Sequence, residues 1–361
     1  MSKTMAKTSA SNLDSAKMSD VLYGFPDQIK QAISIGESGP IWRQTAVSNR
    51  YALFGLGGSA IGGDLLRSYL AATDGSTHLD FSVHRSYETP HWLDSDTNVI
   101  CSSYSGETEE TLSAFDQARK RTMRIVCITT GGTLGQRAVT FGTPVINIPP
   151  GFQPRCALAY SFFPLLTILG RYGAIESRSM RTLTRSINET VRNLEALRDE
   201  YASKNAKNPA YTLAKKLVDS VPVFYSANDR LDAVNLRWRG QIQENAKQTA
   251  FGNVLPEMNH NEINGWQFPA KLVKNFQIVL LRDPDDHTRV KARFDVMRDI
   301  LKSSVGGITE LQGVGKSLLS RMFTLTYLAD WTSYHLALLN GTDPTPVPVI
   351  QKLKGALAKV R

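Results

Sequence analysis

The stretch from Tyr51 to Leu70, YALFGLGGSAIGGDLLRSYL, constrains the chain more than any other. An apolar run, Tyr51 to Phe54, breaks into Gly55, Gly57 and Gly58, then Ser59. A helical pattern with Gly62, Gly63, Leu65 and Leu66 follows. That order predicts a strand, a glycine turn and a helix N-terminus. Backbone N–H groups at such a turn lack intrahelical partners and favour an anion. Glycine matters because a phosphate reaches the backbone only where no Cβ intervenes.

The same logic recurs along the chain. Met18 to Ile35 reads as a helix, and the helix after the glycine turn runs from Ile61 to Ala72. Strands are predicted at Leu79–Val83, Thr97–Ser102, Arg124–Thr129 and Pro144–Ile148. Gly151 to Arg155 is a turn, and helices follow from Cys156 to about Leu169 and over Ser179–Ala202. The polar stretch Ser203 to Ala210 reads as a linker. Beyond it come a helix at Thr212–Val218, a strand at Val221–Ser226 and a helix at Leu231–Thr249. A loop containing EMNHNEINGW precedes a strand at Phe276–Leu281, a helix to Ser303, a strand at Ile308–Leu311 and a helix at Leu318–Leu339. Strands alternating with helical patterns imply βαβ units and an α/β fold with parallel sheets. The second unit repeats the first as a pseudo-repeat, but its loop Ser226–Asp229 has no glycine.

Composition narrows the class. No segment approaches the roughly 20 apolar residues that span a bilayer, and residues 1–20 lack the apolar core of a secretory signal, so they read as a disordered lead-in. Cys101, Cys127 and Cys156 make an odd count, which fits a reducing cytoplasm. No Cys or His pairs stand at zinc-ligand spacing, so no metal is expected. The formal charge of +9 is spread along the chain without a Lys/Arg block, so it fits solubility or anionic small molecules rather than nucleic acid.

Two loops carry the candidate chemistry. Gly55-x-Gly57-x-x-Ala60 alone matches part of a dinucleotide fingerprint. An acidic residue should then close the second strand, and here that strand runs into His84 and Arg85. An NADP-dependent enzyme is therefore the lesser alternative. The loop Ser102–Thr108 decides against it by placing Ser103, Ser105 and Thr108 around a helix N-terminus. One hydroxyl suffices for a helix cap; three make a neutral phosphate cradle. Downstream, Glu244 lies mid-helix in QIQENAKQ, His260 in a polar loop, and Arg155 after Pro154 at a turn. A base, an acid and a cation are what proton transfer beside a carbonyl requires.

FGLGGSAIGGD, SYSGETEET, GFQPRCAL, QENAK, EMNHNEINGW and the terminal DPTPV together resemble the bifunctional phosphoglucose/phosphomannose isomerase family, whose domains are of the sugar isomerase (SIS) type. The resemblance covers roughly residues 20–361. It implies two SIS-like domains, each a mostly parallel sheet flanked by helices. Their bounds would be 21–178 and 211–340, joined by residues 179–210 and closed by a C-terminal tail, 341–361, over the active site. It implies an aldose–ketose isomerase of sugar 6-phosphates without a cofactor, with Glu244 as base and His260 as ring-opening residue. Arg155 would face the enediolate, Lys352 (or Lys354) would assist ring opening, and Thr345 would line the sugar site. Gly58, Ser59, Ser103, Ser105 and Thr108 match the phosphate binders. It further implies a cytoplasmic homodimer in which His260 serves the neighbouring subunit. A non-catalytic sugar-phosphate regulator is the other alternative; it would have no need of Glu244 and His260.

Overall fold

The computed structural model describes residues 13–40, 48–73, 79–175 and 177–360. Helices α1 (Met18–Tyr23) and α2 (Phe25–Ser38) lead to β1 (Arg50–Phe54), α3 (Gly58–Ala71), β2 (Asp80–His84), β3 (Asn98–Ser102), α4 (Glu109–Ala118), β4 (Ile125–Thr129), α5 (Gly132–Thr140), β5 (Val145–Asn147) and α6 (Leu158–Arg171). The long α7 (Ser177–Ala202) carries the chain over. Then follow α8 (Pro209–Leu217), β6 (Val221–Ala227), α9 (Asp232–Asn245), β7 (Phe251–Leu255), α10 (Ala270–Val273), β8 (Phe276–Arg282), α11 (Thr288–Leu301), β9 (Gly307–Gln312), α12 (Leu318–Leu339) and α13 (Pro348–Leu357).

The strands form two sheets, ordered β2-β1-β3-β4-β5 and β7-β6-β8-β9, and every pairing is parallel. Strand side chains alternate between faces. Tyr51, Leu53, Ile100, Val126 and Ile128 therefore join one core, while Ala52, Phe54, Val99, Cys101 and Cys127 join another on the opposite face. The first of these cores is continuous with Phe224, Val279 and Leu281 of the second sheet, so apolar burial fuses the two halves. At its centre lies α12, buried on all sides from Leu318 to Ala337, its charged Arg321 and Asp330 paired with Asp283 and Arg237. Predominantly apolar residues spread around a helix without one polar face place it inside, and α12 packs against α7, α8 and α9.

The pattern-based reading differs from the structure at definite points. It extends α9 to Thr249, but the helix ends at Asn245, with Lys247 in the left-handed region at φ 53°. It leaves Phe251–Leu255 as loop, whereas this segment pairs with β6 from Val223↔Phe251 to Ala227↔Leu255. An edge strand with an exposed Phe and a Gly offers little alternation to recognise. Of the expected lead-in, residues 1–12 lie outside the described residues. Asp14 accepts from the Met18 and Ser19 N–H groups and from the Tyr334 hydroxyl, so residues 13–20 are packed against the fold. The stretch read as a linker closes on a buried Asn208, which caps α8 through Ala210 N–H at 2.8 Å and donates to the Tyr201 carbonyl at 2.8 Å.

Candidate active site

The glycine turn ends β1 where its neighbours end too. Gly57, at φ +51°, precedes α3, and a Cβ on Gly58 would lie 2.4 Å from the Pro154 carbonyl oxygen. Glycine at 58 thus lets the N-terminus of α3 press against the turn that carries Arg155. The second loop is tied to the first: Tyr104 N–H donates to Ser59 Oγ at 2.9 Å. Within that loop, the buried Ser103 hydroxyl accepts from Gly106 N–H at 3.1 Å and donates to Thr108 Oγ1 at 3.0 Å. Ser105 Oγ accepts from Glu107 N–H at 3.2 Å. A hydroxyl that accepts one bond keeps its own proton to donate. Ser59, Ser105 and Thr108 each keep that proton, while Ser103 spends its own on Thr108. The cradle is therefore three free donors, each held by a different partner: Ser59 by Tyr104 N–H, Ser105 by Glu107 N–H and Thr108 by the Ser103 hydroxyl.

Arg155 sits in a 3-10 turn, Pro154–Cys156, and is 3% exposed. Its Nε donates to Asn245 Oδ1 at 2.6 Å, and Nη2 donates to the Pro344 and Thr345 carbonyls at 2.8 and 2.7 Å. Nη1 is 3.5 Å from Glu244 Oε2. Glu244 stands in the last turn of α9, and its carboxylate is part-exposed. Helices α3 and α9 run antiparallel: Ser68, late in α3, donates to Asp232 at the start of α9 at 2.8 Å. The N-terminus of α3 consequently lies beside the C-terminal turn of α9. Between them opens a cavity of about 150 Å3 lined by Gly57, Gly58, Arg85, Arg155, Arg237 and Glu244 among others. Arg237 is fixed by Asp330, whose Oδ1 and Oδ2 each accept from its Nη2 at 2.9 Å. Burial pushes the Asp330 carboxyl up, and Arg237 opposes that shift.

The structure thus brings Gly58, Arg155 and Glu244 to one cavity, with Ser59 tethered beside it and Thr345 held through its carbonyl by Arg155. The Thr345 hydroxyl is buried without a hydrogen-bond partner among the described residues. His260 does not join them. It is exposed in the 3-10 turn Glu257–His260 that follows β7, and it is not among the residues lining that cavity. Lys352 and Lys354 are exposed on α13, and neither lines the cavity. Three residues were not singled out from sequence. Arg85 and Arg237 line the cavity, and Lys247 of the QENAK motif donates to the carbonyls of Asn245, Asp343 and Pro344 at 3.0, 2.6 and 3.0 Å. Arg85 had a visible signal, its place at the carboxyl end of a strand in a parallel sheet. Arg237 has none beyond lying near Glu244, and Lys247 has only its place at the end of the QENAK motif.

Among the described residues, no group of His, Cys, Asp and Glu is arranged to hold a metal ion, and no helix is long and apolar enough to cross a membrane.

Residues 206–357 match the family model of the bacterial phospho-glucose isomerase C-terminal SIS domain. A bifunctional phosphoglucose/phosphomannose isomerase of Caldicellulosiruptor bescii is 41% identical over 346 residues, which span 95% of this chain and 100% of that protein. The Aquifex aeolicus protein of the same name is 37% identical over 309 residues, 84% of this chain and 89% of its own. In fold, a hypothetical protein of Thermus thermophilus superimposes with a TM-score of 0.71 at 15% identity, covering 94% of this chain and 89% of that one.

Proposed function

The chain belongs to the bifunctional phosphoglucose/phosphomannose isomerase family, and from that premise we propose that it interconverts glucose 6-phosphate and mannose 6-phosphate with fructose 6-phosphate. The observation that carries this reading is the single cavity shared by Gly58, Arg155 and Glu244. A base and a cation face one small space beside a helix N-terminus, and the hydroxyl cradle stands one strand away. The phosphate rests on Ser59, Ser105, Thr108 and the N–H groups of the turn at Gly58, with Ser103 beside it holding Thr108. Binding energy at that remote end orients the reacting carbons.

The ring opens as a proton moves from the anomeric hydroxyl to the ring oxygen, with His260 as acid–base group and Lys352 assisting. Glu244 then removes the proton from carbon 2 of the aldose and returns it to carbon 1. The charge that develops on the enediolate oxygens is met by Arg155. Rotation about the carbon 2–carbon 3 bond presents either face to Glu244, so both epimeric aldoses are substrates. Thr345 lines the sugar site, and the tail 341–361 closes it. The reading divides the chain into SIS-like domains at 21–178 and 211–340. It places the protein in the cytoplasm, in keeping with Cys101, Cys127 and Cys156 as free thiols.

The active site is completed in a homodimer. The exposed His260, set apart from its own chain's cavity, supports its service to the partner's cavity. Complementation tests this. Glu244→Gln and His260→Ala chains, each nearly inactive, are unfolded together and refolded. Random pairing makes about half of the dimers mixed. With a shared site, each mixed dimer holds one intact site of two, and roughly a quarter of wild-type isomerisation returns. If His260 acts within its own chain, nothing returns. Absence of recovery, with mixed dimers confirmed by mass, sinks the shared site. Wild-type protein that forms no fructose 6-phosphate from either aldose phosphate sinks the isomerase reading itself.

A further inference from the structure

The cavity holds a cation that this reaction scheme leaves unused. Arg85 immediately follows β2, and Gly55 N–H donates to the His84 carbonyl at 3.3 Å, which ties that strand end to the glycine turn. Because β1 lies between β2 and β3, Arg85 and the hydroxyl loop flank the glycine turn on opposite sides. Adjacent strands are spaced about 4.8 Å apart, so the two flanks are roughly 10 Å apart. A substrate whose phosphate rests on the β3 side therefore directs its far, reacting end toward the β2 side, where Arg85 shares the cavity with Glu244 and Arg155.

Arg85 is held for that position. Its guanidinium is ion-paired with Asp64 of α3, a carboxylate in a residue only 7% exposed. Asp64 is the one hydrogen-bond partner of the Arg85 side chain among the described residues. A guanidinium has five N–H donors, so donors remain for the cavity. Arg155 has fewer to give. Its Nε and Nη2 are committed to Asn245, Pro344 and Thr345, which leaves Nη1 alone to face the reaction. An enediolate carries its charge over two adjacent oxygens, and one terminal nitrogen serves both poorly.

We propose that Arg85, oriented by the buried Asp64, is a second cationic contact for the reacting end of the sugar and shares the enediolate charge with Arg155. This rests on the isomerase reading above. No bond is made or broken by Arg85; it donates hydrogen bonds that strengthen as the charge develops, which is the kind of contact that raises kcat.

The test compares Arg85→Gln, Arg85→Lys and Asp64→Asn with wild type on fructose 6-phosphate. Removal of one preorganised donor to an oxyanion typically lowers kcat by about 10²–10³, and Arg85→Gln should fall in that range with KM changed only a few-fold. Arg85→Lys should recover part of the loss. Asp64→Asn should lose less than Arg85→Gln, as befits a positioning residue. A phosphorylated hydroxamate one carbon shorter than the sugar, which mimics the enediolate, should lose affinity in parallel with kcat, while inhibition by inorganic phosphate stays unchanged. Wild-type kcat in Arg85→Gln overturns the proposal. So does a raised KM with weakened phosphate inhibition at unchanged kcat, which would put Arg85 at the phosphate. If Arg85→Gln does not fold, wild-type kcat in both other variants overturns it equally. The isomerase reading survives any of these results as long as wild type turns over; an inactive wild type removes both.

Discussion

The two sheets share one strand order, β2-β1-β3-β4 against β7-β6-β8-β9, yet their matching carboxyl ends are built oppositely. After β1 and β3 the chain supplies glycines, hydroxyls and backbone N–H groups, and no acidic side chain lies between Gly55 and Gly63. After β6 and β8 it supplies its own anions. Asp283 and Asp286 are buried there, Asp283 gripped by Arg321 at 2.6 Å and by Arg230 at 3.2 Å. An anion approaching the first set finds donors; one approaching the second finds carboxylates already paired. The second half instead contributes a helix: the C-terminal turn of α9 delivers Glu244 to the cavity of the first. Duplication of a fold thus need not duplicate a site. One copy keeps the cradle, and the other closes the equivalent place with ion pairs and lends a side chain across the seam.

If that loan is chemical rather than architectural, its removal has the largest effect. Glu244→Gln should keep the fold and the affinity for fructose 6-phosphate but lower the rate by about 10²–10⁴, the usual contribution of a general base. Proton exchange at carbon 2, followed by NMR in heavy water, should disappear. Exchange at the native rate would assign the base to another group and leave α9 as scaffold.

The contrast between the two carboxyl ends can be broken from either side. Asp283→Ala takes from the buried Arg321 its buried partner, leaving it the exposed Asp285, and loss of one partner of a buried pair costs about 3–5 kcal/mol. Chemical denaturation should register that loss, while KM and kcat of the folded fraction stay near wild type. Ser105→Ala with Thr108→Ala should do the reverse. The hydroxyls lie at the surface or half-buried and make no long-range bond among the described residues, so the melting temperature should barely move. Each lost bond to a charged phosphate is worth about 1.5–3 kcal/mol, so affinity for fructose 6-phosphate should drop sharply. A double variant that binds as wild type, or an Asp283 variant that loses affinity but not stability, would erase the distinction.

How far the sequence showed all this depends on how local each signal was. The glycine turn, the hydroxyl loop and the helix Leu318–Leu339 are contiguous patterns, and they appear where their residues predict. Strand β7 did not, because pairing with β6 rather than its own alternation makes Phe251–Leu255 a strand. The end of α9 was missed because Lys247 takes a left-handed conformation without the glycine that usually announces one. In the site, Arg155 and Glu244 were named from separate motifs 89 positions apart, and only the packing of α3 on α9 brings them together. In the sequence Arg85 stands only where a nucleotide site would want an acid, since its partner Asp64 lies 21 positions earlier and is invisible to pattern. His260 and Lys352 were placed by resemblance; nothing in a single chain's packing draws either into its own cavity.

The smallest effect belongs to the seam where the C-terminal strap crosses α9. Lys247 turns its ammonium toward the carbonyls of Asn245, Asp343 and Pro344. Partial burial, and after it the Arg155 charge, push its pKa from the ordinary 10.5 down to about 8, against the pull of Asp343 and Glu244. The sign of the linkage follows from proton counts. Between about pH 8 and pH 10.5 the unfolded chain holds a proton on Lys247 that the folded chain has lost. Stability rises with pH wherever the unfolded state binds more protons, so this residue's contribution is flat below about 8 and increases through that window. Other groups titrate there as well, tyrosines above all, so the quantity to read is a difference. Melting temperatures of wild type and Lys247→Met are compared from pH 7 to pH 10. The methionine keeps most of the side chain's length and cannot titrate. Wild type minus variant should stay level to about pH 8 and then climb. The climb should be small, because much of the Lys247 side chain is exposed and solvent screens its charge. A difference that stays level throughout would show an ordinary surface lysine, and one that falls would show an ammonium stabilised by its three carbonyls. In the first case the strap would be held by Arg155 without help from Lys247; in the second the charged ammonium would hold it as well.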